Sequence, residues 1–459
     1  MTESAAMPRH VVWIVVDCLR ADHLGCYGYT RATSPAIDAL AAFGARFEAC
    51  YPQGVYTLPA HVSMLSSIHH LAHRLRNGDT ILYDIELLPD VLARHGFATA
   101  GFVSNGMLAG DFGFRRHFDY YDDGILSHDD RKPTFSRAAD DTTREALGWL
   151  DAHQAGRAFL LVHYNDAHAP YSAPPEYVDR FVDDEQAGIA TVLPIEPGDR
   201  HVIRPSDAIG AHREVGFYVA CYDAAIRYID EHVGRIVAWL DKRGLREQTL
   251  LVVTGDHGEA LGEHGYYFQH GKAFYEEFLR VPLIVAGPGI AAGRVAAGPA
   301  RHVDIVPTIL DSVTGVVGQG CYDGRSLLPL LRDGATVDRR LPVFDIGRQS
   351  AYIRDGDWKY IRSRDYGLAP RAAGIAELKR RVKQATRRPR EELYDLANDP
   401  YEQHDLVTVQ PSMTRELRER LDAVLASAAA RPLALRGVAE ESVKPDQVNE
   451  RLRALGYID

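Results

Sequence analysis

Residues 251–264 read LVVTGDHGEALGEH: an apolar run closes on Thr254-Gly255 and delivers Asp256 and His257 side by side. A buried strand that stops at a glycine turn presents its next side chains at the rim of a parallel sheet, where open α/β folds bind ligands. A carboxylate and an imidazole adjacent at such a rim can grip one metal ion from two directions. Three further runs have the same form. Residues 11–16 (VVWIVV) are apolar without alternation, the pattern of a strand buried on both faces, and stop at Asp17. Residues 159–164 (FLLVHY) stop at Asn165-Asp166-Ala167-His168, and residues 97–103 stop at Ser104-Asn105. Helix-compatible stretches separate these runs, so the order is βαβα and the strands are expected to be parallel. Parallel strands share one C-terminal edge. Asp17, Asn105, Asp166, His168, Asp256 and His257 should therefore converge there, a combination that hydrated loop residues would not produce by chance.

The candidate nucleophile is Thr57, in Tyr56-Thr57-Leu58-Pro59-Ala60-His61. Proline is favoured in the first turn of a helix, where its missing N–H costs nothing, and the following AHVSMLSSI is compatible with a helix. Thr57 is thus expected at or just before a helix N-terminus, facing unpaired N–H groups and the positive end of the dipole. That place suits a tetrahedral oxyanion, with His61 one turn on. A plain N-cap role for Thr57 is the alternative, and the metal-type residues favour a reacting hydroxyl over it.

With these residues in view, the chain resembles the sulfatase branch of the alkaline phosphatase superfamily over nearly its whole length. Asp17 matches the metal ligand of the first strand, and Thr57-Leu58-Pro59-Ala60-His61 matches the nucleophile motif. GDHGEALGEHG (255–265) with Tyr275-Glu276-Glu277 and Arg280-Val281-Pro282-Leu283 is the most specific match. HVDIVPTILD (302–311), DGRSLLPLL (323–331), Trp358-Lys359, ELYDLANDP (392–400) and the terminal LRALGYID are further landmarks. The resemblance implies an α/β fold, a large mixed, mostly parallel sheet flanked by helices with a smaller C-terminal α+β subdomain. It also implies a metal-dependent hydrolase of anionic esters.

Departures from the family pattern sharpen the expectation. Sulfatases carry Cys or Ser, oxidised to formylglycine, with an Arg four residues later; here the positions hold Thr57 and His61. A threonine β-carbon already bears a methyl group and cannot become formylglycine. Its ester must be opened by water at the central atom, which metal-assisted attack on phosphorus does readily. The main expectation is therefore a phosphodiester, phosphate or phosphonate esterase working through a phosphoryl-threonine intermediate. The alternatives are a sulfuric ester hydrolase without formylglycine, a phosphotransferase, or a degenerate member that only binds anions.

The resemblance puts one divalent metal on Asp17, Thr57, Asp256 and His257, and the imidazole favours zinc or manganese over calcium or magnesium. A second metal would draw on Asp166, His168 and His270; the primary expectation gives His168 and His270 to the substrate anion or leaving group. Asn105 and Lys272 are candidate substrate-binding residues. Cys18, where sulfatases repeat the aspartate, is read as a small buried hydrophobe before a thiolate ligand. His163 and His264 are expected in structural hydrogen bonds.

Composition agrees with this picture. Of 459 residues 46% are hydrophobic, ample for a core, and the charge of −11 (52 minus 63) disfavours non-specific nucleic-acid binding. MTESAAMPRH has neither a basic region nor an apolar core, so neither a signal peptide nor a membrane span is expected. Five cysteines without a CxxC pair suggest free thiols in a cytoplasmic setting. The expected partner is a small anionic ester; a homo-oligomer is compatible.

Residues 214–243 repeat apolar positions at Val215, Val219, Tyr222, Ile226, Ile229, Val233, Ile236 and Leu240, an amphipathic helix closed by Gly244. Residues 180–212 look like an excursion over the site rim. The organisation expected is a catalytic domain over 1–340, a C-terminal subdomain over 341–432 with short strands near 342–346, 350–353 and 359–362 and a helix near 413–428, and a tail over 433–459. The basic run 379–390 is read as a solvated helix face.

Overall fold

The computed structural model describes residues 7–77, 79, 81, 85–124, 136–182, 208–271, 273–316, 322–334, 343–345, 350–363 and 390–430. Lys272, most of the 180–212 excursion, residues 379–389 and the 433–459 tail lie outside them. The strands in chain order are β1 His10–Val16, β2 Ala45–Tyr51, β3 Phe97–Phe102, β4 Tyr120–Asp122, β5 Arg157–Tyr164, β6 Thr249–Gly255, β7 Ala260–Leu261, β8 Tyr267–Gln269, β9 Leu283–Ala286, β10 Arg294–Arg301, β11 Val343–Asp345, β12 Ala351–Asp355, β13 Trp358–Ser363 and β14 Arg390–Asp395. Eight of them form one sheet in the order β10-β2-β9-β6-β1-β5-β3-β4. Among the described strands β9 alone runs antiparallel to its neighbours in this sheet. The large, mostly parallel mixed sheet expected from the sequence is therefore present.

Register explains why the site lies where it does. Val16 of β1 pairs with Tyr164 of β5 on one side and with Gly255 of β6 on the other. Three central strands thus end on one row, and the residues that follow them are Asp17, Asn165 and Asp256. The run 11–16 is buried throughout because it feeds two cores. Val12, Ile14 and Val16 face the layer containing helices Ala139–His153 and Val215–Lys242, while Val11, Trp13 and Val15 face that of helices Thr57–Ser66 and Ile305–Thr314. Each such side chain withdrawn from water contributes about 1.5–3 kcal/mol. No helix among the described residues is long and apolar enough to cross a membrane.

Strands β11 to β14 form a four-stranded antiparallel sheet, backed by helix Pro411–Ala430. The sequence suggested its first three strands but not β14, whose charged REELYD lacks a strand's apolar alternation. Tyr352, Ile361 and Tyr394 pack against Tyr51, Val55, Phe274 and Phe278 of the larger unit. An ion-pair network fastens the same seam. Buried Lys359 reaches Glu276 at 2.9 Å and Glu402 at 2.8 Å, Glu402 accepts the Glu276 N–H at 2.6 Å, and Tyr51 donates to Glu276 at 2.8 Å.

Removing a partner from a buried pair leaves an uncompensated charge. Lys359→Met is expected to lower stability by about 3–5 kcal/mol in chemical denaturation. A loss below about 1 kcal/mol, the scale of an exposed pair, would mean that this network does not fasten the seam.

Candidate active site

The row of strand ends gathers a buried polar cluster. Asp17, Thr57, Asp256 and His257 are fully buried, and His61, His168 and His270 nearly so. Ligand atoms of Asp17, Asp256 and His257 lie within 4.8 Å of one another. His257 Nε2 stands 3.4 Å from Asp256 Oδ2 and 3.8 Å from Asp17 Oδ1. Among the described residues, no lysine or arginine pairs with either carboxylate. Burial, and for Asp17 also the charge of Asp256, push both carboxyl groups up from 3.8 to about 7. Glycine is needed at the turn that follows: a Cβ on Gly258 would lie 2.1 Å from the Glu277 carbonyl oxygen.

Thr57 opens helix Thr57–Ser66, as its proline spacing predicts. The His61 ring nitrogen Nδ1 donates to the Thr57 carbonyl at 2.8 Å and stands 3.8 Å from Asp256 Oδ2, tying the helix start to the carboxylate. Burial lowers His61 to about 3, so this imidazole is neutral. Thr57 Oγ1, Asp256 Oδ2 and His257 Nε2 are buried without a hydrogen-bond partner, an arrangement proteins avoid unless a ligand or ion completes it. Asn77, which carried no sequence signal because it lies in an irregular loop, accepts the Leu58 N–H at 3.2 Å beside Thr57.

Several expectations need correction. Asn105 does not offer a donor to substrate: both Nδ2 hydrogens are used, on Asp17 Oδ2 at 2.6 Å and Asn165 Oδ1 at 2.8 Å. It supports Asp17 instead. Asp166 is absent from the close ligand groups found among the described residues. Its carboxylate accepts the Ala139 N–H at 3.2 Å, at the start of helix Ala139–His153, so the set Asp166, His168 and His270 does not close around one point. His168 and His270 do meet, edge to face with ring centres 4.9 Å apart. Cys18 is buried, but its surroundings are polar rather than apolar. Its Sγ lies 3.4 Å from Asp17 Oδ1, 3.6 Å from His270 Nδ1 and 3.8 Å from His257 Nδ1. His264 has the structural role expected, 2.8 Å from Glu277 and 3.0 Å from the Glu402 carbonyl. His163 lacks the hydrogen bonds expected of it: both ring nitrogens are buried without a partner among the described residues, Nε2 stands 3.6 Å from Asp17, and burial keeps the ring neutral.

Glu259 is a further buried carboxylate of the site, 3.6 Å from His270 Nδ1 and accepting from Tyr171 at 3.2 Å. It lies in the 251–264 stretch, where only contact with His270 distinguishes it from its acidic neighbours. Gly271, at φ +72°, lets the Tyr56 ring approach to where a Cβ would stand 2.2 Å away, which sets Tyr56 beside His270.

Comparison with known proteins identifies the family and the fold. The family profile "Sulfatase" matches residues 9–316, and the profile "N-sulphoglucosamine sulphohydrolase, C-terminal" matches residues 262–429. The chain is 23% identical to the N-acetylglucosamine-6-O-sulfatase of Bacteroides thetaiotaomicron, covering 86% of this chain and 82% of that protein. The structure of BT4656 in complex with its substrate D-glucosamine-2-N,6-O-disulfate aligns with a TM-score of 0.73 at 20% identity, over 94% of this chain and all of that one. The phosphonate monoester hydrolase of Agrobacterium radiobacter aligns with a TM-score of 0.69 at 21% identity, over 95% of this chain and 100% of that one. With its profile, fold and strand-end cluster in agreement, the chain belongs to the sulfatase family of the alkaline phosphatase superfamily and is an ester hydrolase.

Proposed function

We propose that this protein hydrolyses small anionic esters through the Thr57 hydroxyl, with one divalent cation held by Asp17, Asp256, His257 and the Thr57 oxygen. The observation that carries the reading is the buried ligand set itself. Two carboxylates face one imidazole with no cationic side chain paired to them among the described residues, and Asp256 Oδ2, His257 Nε2 and Thr57 Oγ1 lack hydrogen-bond partners. Such donors fit a cation, and the imidazole favours zinc or manganese over calcium or magnesium. Bound there, a divalent ion supplies Lewis acidity and offsets the negative charge of the ester.

The chain's own groups do the rest. His61 fixes the Thr57 backbone, and the helix start directs the hydroxyl at the anion. Thr57 Oγ1 loses its proton to solvent and bonds to the central atom as the bond to the leaving oxygen breaks, and His168 or His270, as the imidazolium, gives that oxygen a proton. His168 Nδ1 donates to the Ala169 carbonyl at 2.6 Å, so it is Nε2 that faces the leaving oxygen, and it gives a proton there from the imidazolium form. Water then opens the threonine ester and the hydroxyl is restored.

Relatives favour sulfate as the anion, because those that match most of the chain include a glucosamine sulfatase and a disulfated-glucosamine complex. This weighs against the phosphate-ester expectation. Thr57 supports phosphate or phosphonate as the second reading, since an unmodified alcohol lacks the formylglycine route for expelling sulfate, and a phosphonate monoester hydrolase shares the fold.

Aryl sulfate, aryl phosphate, phosphodiester and phosphonate monoester, assayed side by side with added zinc, manganese or calcium, decide the anion. The expected result is turnover of the sulfate ester; phosphorus esters turned over alone would establish the second reading. Thr57→Ala should lower kcat/KM at least about a thousandfold, while Thr57→Ser keeps measurable turnover. Activity within about tenfold of wild type in Thr57→Ala would end the nucleophile assignment.

The two carboxyl groups at about 7 also make a stability prediction. Their neutral forms suit the buried site, so this contribution is present below the ordinary carboxyl range and is lost as pH rises through 7. The Tm of metal-free protein should fall between roughly pH 5 and 8, and excess zinc or manganese should restore it at the upper end. A metal-insensitive Tm at pH 8 would contradict the assigned ligands.

A further inference from the structure

We propose that Cys18, His257 and His270 form a second cation site, thiophilic and zinc-like in preference, beside the carboxylate site of Asp17 and Asp256. The three ligand atoms lie within 4.8 Å of one another, and all three residues are buried. Their spacing fits a tetrahedral ion. Zinc bonds of about 2.3 Å to sulfur and 2.0–2.1 Å to nitrogen, at a tetrahedral angle, separate sulfur from nitrogen by about 3.6 Å. The observed separations from Cys18 Sγ are 3.6 Å to His270 Nδ1 and 3.8 Å to His257 Nδ1.

The backbone holds the sulfur in that position. Cys18 sits at φ 61°, a left-handed conformation unfavourable for an L-residue. It is kept there by its N–H to Asp256 Oδ1 at 3.1 Å and by its carbonyl, which accepts from Tyr222 at 2.7 Å. His257 stands between the two sites: Nε2 faces Asp17 and Asp256, and Nδ1 faces Cys18. The His270 ring stacks on His257 with centres 4.5 Å apart, and Glu259 Oε1 lies 3.6 Å from His270 Nδ1, adding negative charge next to the cation. Cys18 also groups with Asp17 and His168, so the sulfur lies between the carboxylates and the leaving-group imidazoles.

A thiolate with two imidazoles selects zinc or cobalt over calcium or magnesium. Binding replaces the Cys18 S–H bond with a sulfur–metal bond and the His257 Nδ1–H bond with a nitrogen–metal bond; both protons go to solvent, and with both sites filled His257 bridges them as an imidazolate. Binding also displaces the contact of His257 Nδ1 with the Gly258 carbonyl, now 3.1 Å. The inference rests on the reading above through His257, which both sites use, and it leaves proton donation to the leaving oxygen to His168.

The test is cobalt(II) titration of the metal-free full chain under reductant, reading bound metal per chain by elemental analysis and the thiolate-to-cobalt charge-transfer absorption. Two equivalents are expected, one of them producing the band. Cys18→Ser should bind one equivalent without the band, and Asp17→Asn should lose the other equivalent and keep it. His270→Ala leaves the sulfur in place and should weaken the band-forming site at least about tenfold, which decides the matter even if Cys18→Ser fails to fold. No band in wild type, a band that survives Cys18→Ser, or unchanged band affinity in His270→Ala overturns the proposal. An Asp17→Asn protein that still binds two equivalents would instead refute the carboxylate site and leave the sulfur site standing.

Discussion

Two carboxylates of like charge, Asp17 and Asp256, are buried side by side at the ends of adjacent parallel strands, and the surrounding architecture serves to hold them there. Left alone in a low-dielectric environment they would repel each other and take up protons, which is the direction both carboxyl groups show. Continuous strand pairing prevents them from separating. Val16 is locked to Gly255, and the Cys18 and His257 N–H groups both donate to Asp256 Oδ1. Asn105 uses one amide hydrogen on Asp17 and the other on Asn165, so a third strand end braces the first. In the function proposed above, a cation between them would offset that repulsion in place of the protons.

The histidines complete the same electrostatic design. His61, His163 and His257 are kept neutral by burial, so they can offer lone pairs instead of adding positive charge. Neutral imidazoles around paired carboxylates fit the cation proposed above, whereas protonated ones would pair with the carboxylates themselves. The C-terminal sheet contributes from outside. Lys359 closes on Glu276 and Glu402, and His264 bridges Glu277 to the Glu402 carbonyl, so the segment that follows the Asp-His pair is clamped between two sheets.

Much of the fold was legible because buried parallel strands leave a plain signature. Residues 11–16 and 159–164 are apolar without alternation since both faces are covered, and a polar residue directly after each run marks its rim end. The helix Val215–Lys242 was readable from its alternating steps of three and four. Strands β2 and β10 were missed because they carry charged side chains, burying only some positions, and β14 because its REELYD pairs through backbone and ion pairs.

Within the site, the sequence by itself determined which residues stand at the rim: Asp17, Thr57, Asp256 and His257 follow from strand ends and a proline-marked helix start, both local and periodic features. Only the tertiary structure decided which of them share a contact. Asn105 turns to Asp17, Asp166 turns away to the start of a helix, and Cys18 leaves the apolar core for the company of two imidazoles. The physical reason is that side-chain direction at a strand end depends on the backbone dihedral of one residue and on donors arriving from segments some 90 to 250 positions away. Periodicity along the chain carries no record of either.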